Sequence, residues 1–135
     1  MTFRTRNLFI SHSWTYHNQY QGLCNLLNQK PYFFWKNYSV PKDDPIHNAN
    51  SDWALARAIE AQMKPASVVL ILAGVYSTYS KWIKVEIDMA KRLGKPIIAI
   101  EYWGSERTSQ VVKNNADLIV KWNTDSIVDA IRKLS

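Results

Sequence analysis

The sequence predicts an α/β fold: one domain over residues 1–135, a flavodoxin-like three-layer sandwich built on a five-stranded parallel sheet in the order 2-1-3-4-5. Three observations carry this expectation. Short apolar runs recur along the chain, and the clearest, Val68-Val69-Leu70-Ile71-Leu72, is continuous and branched, as in strands buried on both faces. Between the runs lie segments whose apolar residues fall three and four apart, which is helical periodicity. Strands that alternate with helices return by right-handed crossovers, so the sheet is parallel and covered on both sides.

In order along the chain, Leu8-Phe9-Ile10 after Asn7 is the first strand, closed at its carboxyl end by the polar Ser11-His12-Ser13. Tyr16 to Lys30 follows as a helix with Tyr20, Leu23, Leu26 and Leu27 on one face, stopped by Pro31. The aromatic stretch from Tyr32 to Val40 reads as the second strand. Pro41 to Asn50 lacks periodicity and is long for a connection in a compact domain, which makes it a candidate functional loop. Asn50 or Ser51 caps a helix from Asp52 to Met63, with Asp52 in the first turn, where the helix dipole favours an acid, and Pro65 just beyond. Ser67 to Leu72 is the third strand, and Gly74 lets the chain turn away from it. The next helix has Ile83, Ile87, Ala90 and Leu93 in register, Gly94 at its C′ position and Pro96 after it. Pro96 to Ile100 is the fourth strand, Thr108 to Lys113 a weak helix and Asp117 to Val120 the fifth strand. Thr124 caps a last helix carrying Ile127, Ile131 and Leu134.

Composition narrows the function classes. An apolar share of 47% with six Trp and seven Tyr suits a packed core and not a disordered chain. The start from Met1 to Asn7 has no apolar signal-peptide segment, and no apolar run has bilayer-spanning length, so the expectation is a soluble cytoplasmic protein without a membrane partner. The single Cys24 excludes an internal disulfide and a cysteine metal cluster; among Leu23, Leu26 and Leu27 it reads as a buried, inert thiol. His12, His17 and His47 have no spacing that sets two on one helical face, so no metal site is expected. The net charge is +6, but basic residues are scattered from Arg4 to Lys133 without a stripe. That pattern argues against a nucleic-acid partner and is compatible with a phosphate-bearing ligand.

The helix before Gly94 holds the main functional lead. At about 100° per residue, Ile83, Ile87 and Ala90 form one arc, while Lys81, Lys84, Asp88, Lys91 and Arg92 gather opposite. Glu86 breaks the sorting, because its angle falls between those of Ala90 and Leu93, with Trp82 one turn earlier at the rim. Burying a bare carboxylate costs several kcal/mol, so Glu86 must find a partner, open into a cavity, lean out to solvent or cap a neighbouring loop. In a sheet of this order, ligands bind beyond the carboxyl ends of the strands, at the switch point between the first and third. That point gathers Ser11, His12, Ser13 and Trp14, the Pro41 to Asn50 loop, and the stretch from Gly74 to Trp82 with Tyr76 in it. Glu86 can point into the same crevice.

Several users of this fold lack their chemistry here. A phosphate-accepting receiver needs an Asp after the third strand and an acidic pair after the first, where this chain has Leu72-Ala73-Gly74 and His12-Ser13. The segment from Ser11 to Thr15 offers hydroxyls but lacks the glycine of a flavodoxin phosphate loop, and neither GxGxxG nor a P-loop occurs. Asp43 and Asp44 read as turn formers.

Taken together, the residues from Leu8 to Ser13, Tyr38-Ser39-Val40-Pro41, Ser80 to Ile87 and Gly94 to Ile100 resemble TIR-like domains, and the pattern looks closest to the ThsB branch of Thoeris antiphage defence. The resemblance implies an NAD glycohydrolase or ADP-ribosyl cyclase with Glu86 as its catalytic residue. NAD is then the substrate, with no further cofactor. The product would be a signalling nucleotide that activates a separate effector protein, and assembly into a homo-oligomer belongs to the same expectation. On this reading Ser11, His12, Ser13, Trp14, Tyr76 and Trp82 are the substrate-binding positions, with aromatic rings stacking on the bases and Ser11 and Ser13 receiving phosphates. Core packing remains open for Trp82, and turn capping for Ser11 and Ser13. TIR domains also act as adaptors, so a non-enzymatic interaction module using the Pro41 to Asn50 loop and the basic helix surface is the alternative.

Overall fold

The computed structural model describes residues 4–11, 17–38, 52–72, 80–101 and 110–135. Its elements are β1 (Arg6–Ser11), α1 (His17–Asn28), β2 (Trp35–Asn37), α2 (Asp52–Met63), β3 (Val68–Leu72), α3 (Ser80–Arg92), β4 (Ile97–Glu101), α4 (Gln110–Asn115), β5 (Leu118–Lys121) and α5 (Thr124–Leu134). The strands form one parallel sheet in the order β2-β1-β3-β4-β5, the α/β arrangement that the sequence predicts. Ser11 lies opposite Ile71, and Ile71 opposite Ala99, so the carboxyl ends of the three central strands stand level at one rim of the sheet.

The core is the sheet itself. Leu8, Phe9 and Ile10, all of β3 and Ile97 to Ile100 are removed from water, as continuous apolar strands covered on both faces must be. Helices α1 and α5 pack together, and α2 packs beside α3. The edge strand β5 instead alternates, with Leu118 and Val120 half-buried and Ile119 turned outward. Helix α3 sorts as its sequence dictates: Ile87 and Ala90 face the core, while Lys84, Asp88, Lys91 and Arg92 are exposed. It ends in a Schellman motif, in which Lys95 N–H donates to the Ala90 carbonyl at 2.8 Å and Gly94 N–H to that of Lys91 at 3.2 Å. Gly94 takes the left-handed φ of +70° that this turn requires and that side-chain-bearing residues avoid.

Four local expectations change. β2 spans only Trp35–Asn37, because a turn precedes it, with Tyr32 at a φ of 61°. Of the aromatics before it, Tyr32 and Phe34 are exposed while Phe33 is buried, with the Arg132 guanidinium 5.6 Å from its ring centre. The cap of α5 is Asn123, whose side-chain oxygen accepts from Ser126 N–H at 2.8 Å. Thr124 instead donates its hydroxyl to the Leu26 carbonyl at 2.8 Å, which ties α5 to α1. Cys24 is half-buried, packed against the core from its rim. α4 runs to Asn115, two residues past Lys113, while Thr108 lies outside the described residues. Gly74, the Pro41 to Asn50 loop and the Asn50 or Ser51 cap lie outside the described residues.

Candidate active site

Two polar side chains are buried among the described residues, Ser11 at 2% exposure and Glu86 at 6%. Ser11 is the last residue of β1, at the switch point where the chain leaves β1 for one side of the sheet and β3 continues the other. Glu86 stands in the second turn of α3, the helix that follows β3. Alternation along β1 sends Ser11 to the same face as Phe9, and the helical angle of Glu86 sends its carboxyl inward from α3. Sheet and helix thus bring together two residues far apart in sequence.

Neither group is satisfied. Ser11 Oγ and Glu86 Oε2 are both sealed from solvent, and neither has a hydrogen-bond partner among the described residues. Burial pushes the Glu86 carboxyl up to about 7 from an ordinary value of 4.5, and the nearby Ser11 hydroxyl pulls in the opposite direction with lesser effect. The serine is therefore close enough to act on the carboxyl, while the two fall short of a formed hydrogen bond. Surrounding charges are otherwise engaged. Lys84 lies 3.9 Å from Asp88, Arg92 holds Glu60 of α2 at 2.9 Å, and Lys121 holds Glu101 at the end of β4 at 2.9 Å. These pairs are largely exposed, and none supplies the inward carboxyl with a counter-charge.

An unpaired buried polar atom costs about 1–3 kcal/mol. An apolar residue at either position would avoid that cost, which makes the two positions candidates for chemistry or binding. A desolvated carboxylate interacts strongly with a cation placed beside it, because little water is present to screen the pair. Among the described residues no group of three or more His, Cys, Asp or Glu side chains is placed to hold a metal ion. The carboxylate of Asp117 is structural, accepting from Ile97 N–H at 2.8 Å.

Of the positions expected from the sequence, Ser11 and Glu86 come together here. Trp82 lies on α3 one turn before Glu86, but its side chain is outside the described residues, as are His12, Ser13, Trp14 and Tyr76 altogether. No helix among the described residues is long and apolar enough to cross a membrane.

Residues 9–107, which include both Ser11 and Glu86, match the family model described as Thoeris protein ThsB, TIR-like domain. The chain belongs to this family. The ThsB-type TIR-like domain described here is also similar to a solved structure, the CMP N-glycosidase BcmB of Clostridium botulinum, with a TM-score of 0.55 and 14% sequence identity. That alignment covers 95% of this TIR-like chain and 99% of the other, so the two share their fold from end to end. No curated protein sequence matches the chain.

Proposed function

We propose that this TIR-like domain breaks the nicotinamide–ribose bond of NAD and converts the ADP-ribosyl part into a signalling nucleotide, cyclic in form, in antiphage defence. The observation that carries the proposal is the buried Glu86, with its Oε2 unpaired, on the helix that follows β3. Membership of the ThsB family supports the setting. The similar fold of a CMP N-glycosidase fits the chemistry, since that protein's name describes cleavage of a bond from a sugar to a base nitrogen.

One carboxylate suffices for this reaction. Glycosidases that expel an alkoxide use a pair of carboxyls, one of which protonates the leaving oxygen. Nicotinamide departs from a cationic pyridinium as a neutral base, so no general acid is needed. As the bond from ribose C1′ to the ring nitrogen breaks, its electron pair leaves with nicotinamide and positive charge spreads over C1′ and the ring oxygen. Glu86, ionised, holds the ribose hydroxyls and stabilises that charge in a site with little water. A lone pair then closes on C1′. Water yields ADP-ribose after losing a proton, and an internal hydroxyl or adenine nitrogen yields a cyclic isomer. Trp14, Tyr76 and Trp82 are the proposed stacking residues, with His12 and Ser13 near the phosphates. The product acts on a separate effector protein, and the domain works as a homo-oligomer, with NAD as substrate and no other cofactor.

The test is incubation of the purified protein with NAD, at low and high protein concentration, followed by mass spectrometry of the small molecules. Nicotinamide together with an ADP-ribose-derived product in the wild type, and neither in Glu86→Gln, supports the proposal. Absence of nicotinamide from the wild type at both concentrations supports the interaction module instead.

A further inference from the structure

We propose that Arg4, Arg6 and Arg132 form an oxyanion site for a small phosphate-bearing ligand, inorganic phosphate or the phosphate monoester of a nucleotide, at the end of the sheet opposite Ser11. Arg6 opens β1 and Ser11 closes it, so the two ends stand about 16 Å apart and the site is separate from that of Glu86.

The three guanidiniums are brought together by hydrogen bonds from different elements. Arg4 Nη2 and Arg6 Nη1 both donate to the Ser135 carbonyl oxygen, at 2.6 and 3.0 Å, which sets the two forks side by side. Arg6 Nη1 also donates to Ser135 Oγ at 2.7 Å. Arg132 lies one turn before Ser135 at the end of α5, where Nη2 reaches the Tyr32 carbonyl at 3.4 Å and the guanidinium covers the Phe33 ring. Burial lowers the pKa of Arg6, and the charges of Arg4 and Arg132 lower it further, as expected of three cations at one corner.

Among the described residues no Asp or Glu side chain pairs with any of the three, although Lys30 holds Asp125, Arg92 holds Glu60 and Lys121 holds Glu101. Asp129, one turn back on α5, is exposed and makes no ion pair with them. Capping the end of α5 does not account for so much charge. A helix C-terminus carries about half a negative charge, and Lys133 adds a further cation to the same turn. A main-chain oxygen of Ser135, whatever its charge, offsets one guanidinium at most. Like charges that converge partly out of water repel, so the corner is short of an anion.

Donors remain for one. Each guanidinium has five N–H groups in a planar fork, and the described bonds leave Nε and one terminal nitrogen of each without a partner. Forks of this kind match the oxygens of a phosphate two at a time, and a dianion answers two of the three charges.

Calorimetric titration of the whole protein with inorganic phosphate and with adenosine monophosphate, at constant ionic strength set by sodium chloride, tests the site, with thermal unfolding followed over the same concentrations. Binding should saturate with a Kd of about 1 mM or tighter, and tenfold excess over Kd should raise the unfolding midpoint by about 5 °C. Arg4→Gln, at an exposed position, and Arg132→Gln should each weaken binding at least about tenfold. Arg4→Lys, which keeps the charge but not the fork, should fall between wild type and Arg4→Gln, and Lys91→Gln on the exposed face of α3 should bind as the wild type does. Saturation by phosphate alone, by the nucleotide alone or by both, lost in Arg4→Gln, supports the site and names the source of the phosphate group. No saturation by either ligand, a midpoint that chloride raises equally, binding untouched in both arginine variants, or an equal loss in Lys91→Gln overturns the proposal. Neither readout uses NAD, so the result stands apart from the proposed cleavage.

Discussion

Replacing Glu86 with Gln should remove a pH-dependent loss of stability from the wild type. The carboxyl titrates near 7 in the folded chain and near its ordinary 4.5 once unfolded. Because the folded value is the higher one, the native state binds more protons between these limits, so stability is complete below pH 4.5 and falls as pH rises toward 7. At 1.36 kcal/mol per pH unit, the span amounts to about 3 kcal/mol. Urea unfolding of wild type and Glu86→Gln at pH 5, 6, 7 and 8 measures it directly. Glutamine has no charge to desolvate, so its curve lacks this slope. Relative to the wild type it should gain about 2–3 kcal/mol between pH 5 and pH 8, or about 1–2 M in urea midpoint. Parallel pH dependences in the two proteins would refute the reasoning, because they would mean that Glu86 titrates alike in the folded and unfolded chains.

Two further outcomes follow from the same geometry. On the proposed function, kcat/KM for NAD cleavage should rise with pH and level off above about 7, as Glu86 ionises; a flat profile between pH 5 and 8 would assign the chemistry elsewhere. Asn123→Ala should cost about 1 kcal/mol in chemical unfolding by uncapping α5, with no effect on Glu86 titration; an unchanged unfolding curve would mean that the cap carries no weight.

The fold was legible where one physical rule dominates. Strand β3 is buried on both faces, so its composition declares it, and the alternation of strands with helices declares a parallel sheet. The anomaly of Glu86 was legible too, since a helix fixes angles from spacing alone. β2 was not, because edge position and a turn at Tyr32 make its length depend on pairing with β1, while aromatic residues answer to packing as much as to strand formation. Asn123 and Thr124 are both competent caps, and only the position of the Leu26 carbonyl decides that the threonine bonds across to α1. The switch-point rule places Ser11 and Glu86 at one crevice from the sequence, but that both side chains are sealed from water, with Ser11 Oγ and Glu86 Oε2 unpaired, depends on tertiary packing that no local pattern encodes. For the same reason, the sequence marks the carboxyl as misplaced but does not reveal how far burial shifts it.

Quantifying nicotinamide after incubation with NAD near pH 7.5 tests the central claim most directly. Wild-type protein should release it, and Glu86→Gln should be slower by at least about a hundredfold, the scale on which loss of a preorganised electrostatic group is felt. Equal release by the two proteins, or none from the folded wild type at any protein concentration, would contradict the assignment of Glu86 as the group that carries the reaction.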